Sequence, residues 1–337
     1  MTQRSSGPAG RAMVGGTAAM VALALALSGC SAGGADSDAG LKAARAAALP
    51  ASKRFDLPKP SYDLFRHKKL KDKTVMQSLG FDARNKRLFV AQLKNGSASD
   101  KNGDLAISQL DFAGNLKGYM YLKGFGHGVS IGVEPSGTST YLWAEVDPTG
   151  ASARGTQLAR FKFTSGKTLT NKSSALTKYK PVAGSEGVTA SIDPVNNRLA
   201  MRYKKGSWRV TVFNLADVKA KKYGNPVADI AQPSQNGETF QGYAVYGRYL
   251  YTAYGNAYGK TNPSPGNTKL STIDLSTGKR VAGPTFSKAG ATLTYREPEG
   301  LGIFRTGSGE VRLFLGFASG AEGDRRSNLF YKNVLIP

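Results

Sequence analysis

The sequence predicts an all-β fold: a single five-bladed β-propeller of four-stranded blades, its ring closed by an N-terminal strand. Three observations predict it. A polar residue followed by Gly or Ser and then an apolar residue recurs five times, at separations of 50, 59, 55 and 58 residues. Each copy opens a short run in which bulky and small side chains alternate. The 41 glycines and frequent turn dipeptides break the chain into short strands, and no long helical periodicity interrupts them. Four-stranded units of about fifty residues, repeated around an axis, are the mark of a propeller.

The N-terminus comes first. Residues 1–29 hold Arg4, Arg11, no acidic residue and an apolar run from Met13 to Leu27, which is the outline of a secretory signal. That run is about fifteen residues, whereas a helix needs about twenty to cross a bilayer core, so a permanent span is not expected. Leu27-Ser28-Gly29-Cys30 follows at once and resembles a bacterial lipobox. Small residues suit a signal peptidase, and the Cys30 thiol is the group that would accept a diacylglyceryl chain. Cys30 is the only cysteine, which excludes an intrachain disulfide and makes lipidation the expected use of the thiol. The expected location is extracytoplasmic, on the outer face of the cell membrane, where two or more acyl chains would hold the protein stably. Residues 30–53 have too few large apolar groups for a core and read as a flexible tether. The propeller is expected over 54–337.

The five repeat copies are Gln77-Ser78-Leu79, His127-Gly128-Val129, Glu186-Gly187-Val188, Gln241-Gly242-Tyr243 and Glu299-Gly300-Leu301. Because successive strand side chains point to opposite faces, Leu79 and Phe81 make one face bulky while Ser78 and Gly80 leave the other bare. Val129 and Ile131 stand likewise against Gly128 and Ser130, and Val188 and Ala190 against Gly187 and Thr189. A bulky face can then nest on the bare face of the next sheet. Tight hairpins follow, for example Asp82 to Lys86, Glu134 to Thr138 and Asp193 to Asn197, with Asn, Asp, Gly and Pro suited to turns. Second strands are expected at Arg87 to Leu93, Tyr141 to Val146, Arg198 to Tyr203, Arg248 to Tyr254 and Val311 to Phe317. Third strands are expected at Asp104 to Asp111, Thr156 to Phe163, Ser207 to Leu215, Asn267 to Leu275 and Asn328 to Val334. The last unit runs out of chain there. Ser61 to Leu70 is the expected donor of its outer strand, pairing near Phe330 to close the ring and cover an edge.

If each repeat-opening residue starts an innermost strand, then Gln77, His127, Glu186, Gln241 and Glu299 surround one end of the channel. The second strands return to that end, bringing Gln92, Glu145, Arg202, Tyr203, Tyr254 and Phe317. Loops on the same side carry Lys94, Lys101, Arg154, Lys204, Lys205, Lys260, Arg325 and Arg326. The polar ring has three readings. Its members can satisfy one another and ordered water. His127, Glu186 and Glu299 can hold a divalent cation such as calcium. The same three can act as acid and base, since an imidazole beside a carboxylate suits proton transfer. His67, the other histidine, is expected to be exposed. Gly255 to Thr261 superficially looks like a phosphate loop, but its glycine spacing is wrong.

Four of these stretches carry a family resemblance: Met76 to Asp82, Gly126 to Gly132, Tyr141 to Glu145 and Arg296 to Gly300. They resemble the signatures of the TagC-like propeller family, which includes the teichoic acid biosynthesis protein C of bacilli and the head domain of staphylococcal phage receptor-binding proteins. The resemblance spans about residue 60 to the end, with the motifs in the right order. It implies a five-bladed propeller and a connection with wall teichoic acid or a similar glycopolymer, and it implies no one reaction. A phage stem is lacking and a lipobox stands in its place, so a cellular envelope role is expected.

The formal net charge of +23 attracts polyanions. For an exported chain these are membrane phospholipid and wall polymers or phosphorylated glycans, rather than nucleic acid. The expectation is a monomeric lipoprotein that binds an anionic wall glycopolymer through Gln77, Gln241, Gln92, Glu145, Arg202, Tyr203, Tyr254, Arg325 and Arg326. The alternatives are a metal-assisted phosphodiesterase or glycan hydrolase using His127, Glu186 and Glu299, and a scaffold that contacts other envelope proteins.

Overall fold

The computed structural model describes residues 49–95, 103–149, 153–234 and 237–337. The expected signal, Cys30 and Lys101 lie outside those residues.

Two short strands precede the first blade, β1 (Arg54–Phe55) and β2 (Tyr62–Lys68). The first blade is β3 (Met76–Asp82), β4 (Arg87–Leu93), β5 (Leu105–Leu110) and β6 (Leu116–Lys123). The second is β7 (Gly132–Ser136), β8 (Ser139–Thr149) and β9 (Arg154–Lys162), followed by β10 (Thr168–Thr170) and β11 (Thr177–Tyr179). The third is β12 (Glu186–Asp193), β13 (Arg198–Lys205) and β14 (Ser207–Asn214), then the short helix α1 (Leu215–Lys219) and β15 (Ala228–Ala231). The fourth is β16 (Phe240–Tyr246), β17 (Tyr249–Tyr254), β18 (Lys269–Asp274) and β19 (Arg280–Phe286). The fifth is β20 (Glu297–Arg305), β21 (Val311–Ser319) and β22 (Arg326–Lys332), after which β23 (Leu335–Ile336) ends the chain.

The inner strands form a closed circuit: β3 lies beside β7, β7 beside β12, β12 beside β16, β16 beside β20, and β20 beside β3. That circuit defines five blades. The repeat's bulky and bare alternation produces it. An added Cβ on Gly80 would stand 2.5 Å from Cγ2 of Val133 in the next blade, so the bare position is where the neighbour's side chain sits. At the hub the approach is closer still. Gly300 has φ +76°, and a Cβ there would lie 2.7 Å from the Ser78 Cα, which leaves glycine as the residue that fits on both counts.

Blade five takes its outer strand from the front of the chain. Its sheet order is β2-β22-β21-β20, with Asp63 opposite Phe330. Blade one gains a fifth strand, because β10 leaves blade two and runs parallel to β6, while β11 completes blade two beside β9. The closing segment starts before residue 54. Leu49 is buried with Leu250 and Ile273, and Ser52 Oγ accepts a hydrogen bond from the Arg248 amide at 2.9 Å. Residues 49–53, read from composition as tether, are thus fastened to the blade-four hairpin. A single well-placed leucine does what average composition hides.

Candidate functional site

The repeat-opening residues do not all begin strands in the same way. In blades one, three, four and five the ladder between first and second strands shifts register at the motif, between Met76 and Ser78, Glu186 and Thr189, Phe240 and Gly242, and Pro298 and Leu301. Such bulges re-aim a side chain. Blade two departs from the expectation: β7 begins only at Gly132, five residues after His127. The cause is Glu145. Its carboxylate accepts the amides of His127 (3.0 Å) and Gly128 (2.7 Å) on one oxygen and that of Gly155 (2.6 Å) on the other. The amides that would have joined the ladder are spent on a side chain.

Several expected ligand contacts are therefore part of the frame. Glu145 is fully buried, and burial raises its pKa despite those amides. Gln92 is held by the 72–74 loop, donating to the carbonyls of Asp72 (3.0 Å) and Thr74 (2.7 Å). Arg202, 4% exposed, lies 3.6 Å from the ring centre of Trp208 and 3.7 Å from that of Phe240. Its Nε donates to Gln232 at 2.6 Å, and Gln232 in turn donates to the Tyr254 hydroxyl at 2.6 Å. Burial lowers the Arg202 pKa to about 9, and the guanidinium, held by one hydrogen bond and two ring faces, is a wedge between blades three and four. Tyr203, next along β13, takes the opposite face into the core, its hydroxyl 3.1 Å from Thr211 Oγ1. Phe317 is buried beneath the Arg296 guanidinium, 4.6 Å away.

The basic loop pair is also occupied. Arg325 lies 3.3 Å from the Tyr295 ring centre and donates to the Gly320 carbonyl, while Arg326 pairs with Asp324 at 2.6 Å. Glu186 is exposed at the start of β12. Among the described residues no three His, Cys, Asp or Glu side chains converge to hold a metal ion. His127, Glu186 and Glu299 are thus not gathered into the expected calcium-type ligand set, since one of them lies out in solvent.

What remains at the mouth is a smaller group. Gln77 and Gln241 are nearly buried; Gln241 donates to the Gly255 carbonyl at 2.9 Å, while Gln77 has only a 3.4 Å contact to the Met76 carbonyl. His127 is half-buried beside them. Glu299 is 5% exposed, and no hydrogen bond or ion pair engages its carboxyl among the described residues. Burial, with the charge of Glu297 adding to it, raises its pKa well above the carboxylate range. The opposing influence is Arg154, the first residue of β9, whose charge acts on Glu299, Glu145 and Arg202 alike. Arg154 is half-buried, and among the described residues its guanidinium makes no ion pair or hydrogen bond. A cation and an acid with raised pKa, neither engaged among the described residues and flanked by two amides, can take an anion and hydroxyl groups together.

Below the mouth the inner strands narrow to an apolar stretch. Leu79, Phe81, Ile131, Val133, Ile192, Leu301 and Ile303 leave only about 10 Å³, no more than room for one water.

Reading the repeat missed Arg296, Trp208, Gln232 and Glu134. Arg296 is fully buried, donating to the carbonyls of Ser287 (2.7 Å) and Ala289 (2.9 Å) and to Thr268 Oγ1 (3.0 Å). Its place beside the Glu299 motif was a visible signal; its partners were not.

A five-bladed propeller with a polar mouth and a narrow apolar channel is the class that this geometry defines. Residues 75–331 match the family described as "Phage 5-bladed beta propeller receptor binding platform domain", and the chain belongs to that family. It is 30% identical over 297 residues to the "Putative major teichoic acid biosynthesis protein C" of Bacillus subtilis (strain 168), covering 83% of this chain and 65% of that protein. The tail fiber of Staphylococcus aureus phage P68 superposes with a TM-score of 0.66 at 22% identity, over 81% of this chain and 52% of that one. The chain thus spans less than two thirds of the length of either relative, and the tail-fiber likeness is one of fold.

Proposed function

We propose that this chain binds an anionic wall glycopolymer of the teichoic-acid kind at the propeller mouth. The observation that carries the reading is Glu299, a buried carboxyl at the hub that no hydrogen bond or ion pair engages among the described residues, in the field of Arg154, whose guanidinium likewise makes none among them. Arg154 engages a phosphate, and Glu299 with Gln77 and Gln241 hydrogen-bonds the hydroxyls of a polyol or sugar. The family match and the teichoic-acid name of the Bacillus subtilis relative support this choice of polymer. Titration of the purified chain with glycerol-phosphate oligomers tests it. Arg154→Ala is expected to weaken binding about tenfold or more, the loss of one charge-assisted hydrogen bond; unchanged affinity overturns the reading.

The raised pKa of Glu299 favours a second reading. A carboxyl whose pKa burial pushes up can also serve as a general acid in hydrolysis. Release of monomer that ceases in Glu299→Gln, with binding retained, would establish it.

The lipobox at Leu27-Ser28-Gly29-Cys30 supports attachment to the outer face of the cell membrane through Cys30. Labelled fatty acid should enter the parent chain and not Cys30→Ser; equal labelling of both contradicts the attachment.

A further inference from the structure

At the other end of the inner strands, the hairpins border an open cleft of about 650 Å³, within the range of small-molecule sites. Its apolar floor is Phe81, Ile192, Pro135 and Pro194, and its rim carries Arg84, Arg305 and Lys219. Phe81, Ile192 and Pro194 also line the narrow channel, so this cavity adjoins the apolar stretch of the inner strands, at the end away from the mouth.

The electrostatics of the cavity are one-sided. Its one acid, Glu134, is already saturated: Arg160 grips it at 2.7 and 2.9 Å, Lys219 at 2.8 Å and the Trp143 indole at 2.8 Å. Two cations on one carboxylate leave a net positive cluster. Arg84 and Arg305 are exposed, and among the described residues neither guanidinium makes an ion pair or hydrogen bond. An apolar floor beneath two guanidiniums that no ion pair engages among the described residues selects a ligand with both characters. Guanidinium forks match phosphate or carboxylate oxygens, and the floor gives an apolar body somewhere to leave water.

We infer that the hairpin end is a second binding site, taking a small amphipathic anion: one phosphate or carboxylate group on an apolar body. Phenyl phosphate is the probe, titrated calorimetrically into the purified chain, with inorganic phosphate and benzyl alcohol as single-character controls. Phenyl phosphate is expected to bind at its tightest site about tenfold or more tighter than inorganic phosphate, because the ring is buried against the floor. The exposed double substitution Arg84→Ala with Arg305→Ala should cost about tenfold or more of that affinity, at unchanged Tm. Arg154→Ala should leave it unchanged. Equal binding of phenyl and inorganic phosphate, undiminished binding by the Arg84 and Arg305 variant, or loss of binding on Arg154→Ala would each overturn the second site.

Discussion

Each end of the channel holds a glutamate that is 5% exposed, and their circumstances are opposite. Glu134 at the hairpin end has four donor contacts from three side chains, and these outweigh burial to hold its pKa below the ordinary carboxylate range. Glu299 at the mouth has none among the described residues, and burial drives its pKa up. Equal burial therefore marks unequal roles. A buried acid that neighbours have neutralised belongs to the frame, whereas one left without neighbours is a cost that ligand contact can offset.

The largest expected effect breaks the first half of this comparison. Glu134→Ala strips the partner from Arg160, whose side chain is 15% exposed, and from Lys219 and Trp143. Removing one member of a buried cluster costs about 3–5 kcal/mol, read as a lower urea midpoint. A variant as stable as its parent would show that the cluster is ornamental.

The second effect reverses sign. Folded Glu299 keeps its proton at pH values where the unfolded chain has released it, so this residue lowers stability as the pH rises above the ordinary glutamate range of about 4.3. Glu299→Gln removes that loss. Its Tm gain over the parent should be larger at pH 7 than at about pH 4. A gain that is equal at both values, or larger in acid, contradicts an unpartnered Glu299.

The smallest effect lies outside both ends. Arg326 pairs with exposed Asp324, and Arg325 is engaged by Tyr295 and Gly320. Arg326→Ala should change neither Tm nor polymer affinity beyond measurement error, whereas a large loss of affinity would return the site to the basic loops.

Blade number and strand positions were legible because they rest on local signals: turn residues at Asp82 and Asp193, alternation along Leu79 to Phe81, and a recurrence every 50 to 59 residues. Closure through β2 was legible too, since a fifth unit short of one strand needs a donor. The roles of site residues were less so. Tyr203 was assigned to the mouth although it alternates with Arg202, and the strand period alone places the two on opposite faces. Other misplacements were out of reach. The Lys219 contact to Glu134 joins residues 85 apart, and the aromatic sandwich around Arg202 brings Trp208 together with Phe240 from the next blade. Periodicity says which residues meet at an axis. It does not say which of them are already satisfied there.

The most direct test is a crystal structure of the chain with a short glycerol-phosphate oligomer. The account predicts a phosphate within hydrogen-bonding distance of the Arg154 guanidinium and a polyol hydroxyl on the Glu299 carboxyl. An oligomer lodged on the Arg325 and Arg326 loop, with Glu299 and Arg154 untouched, would contradict it.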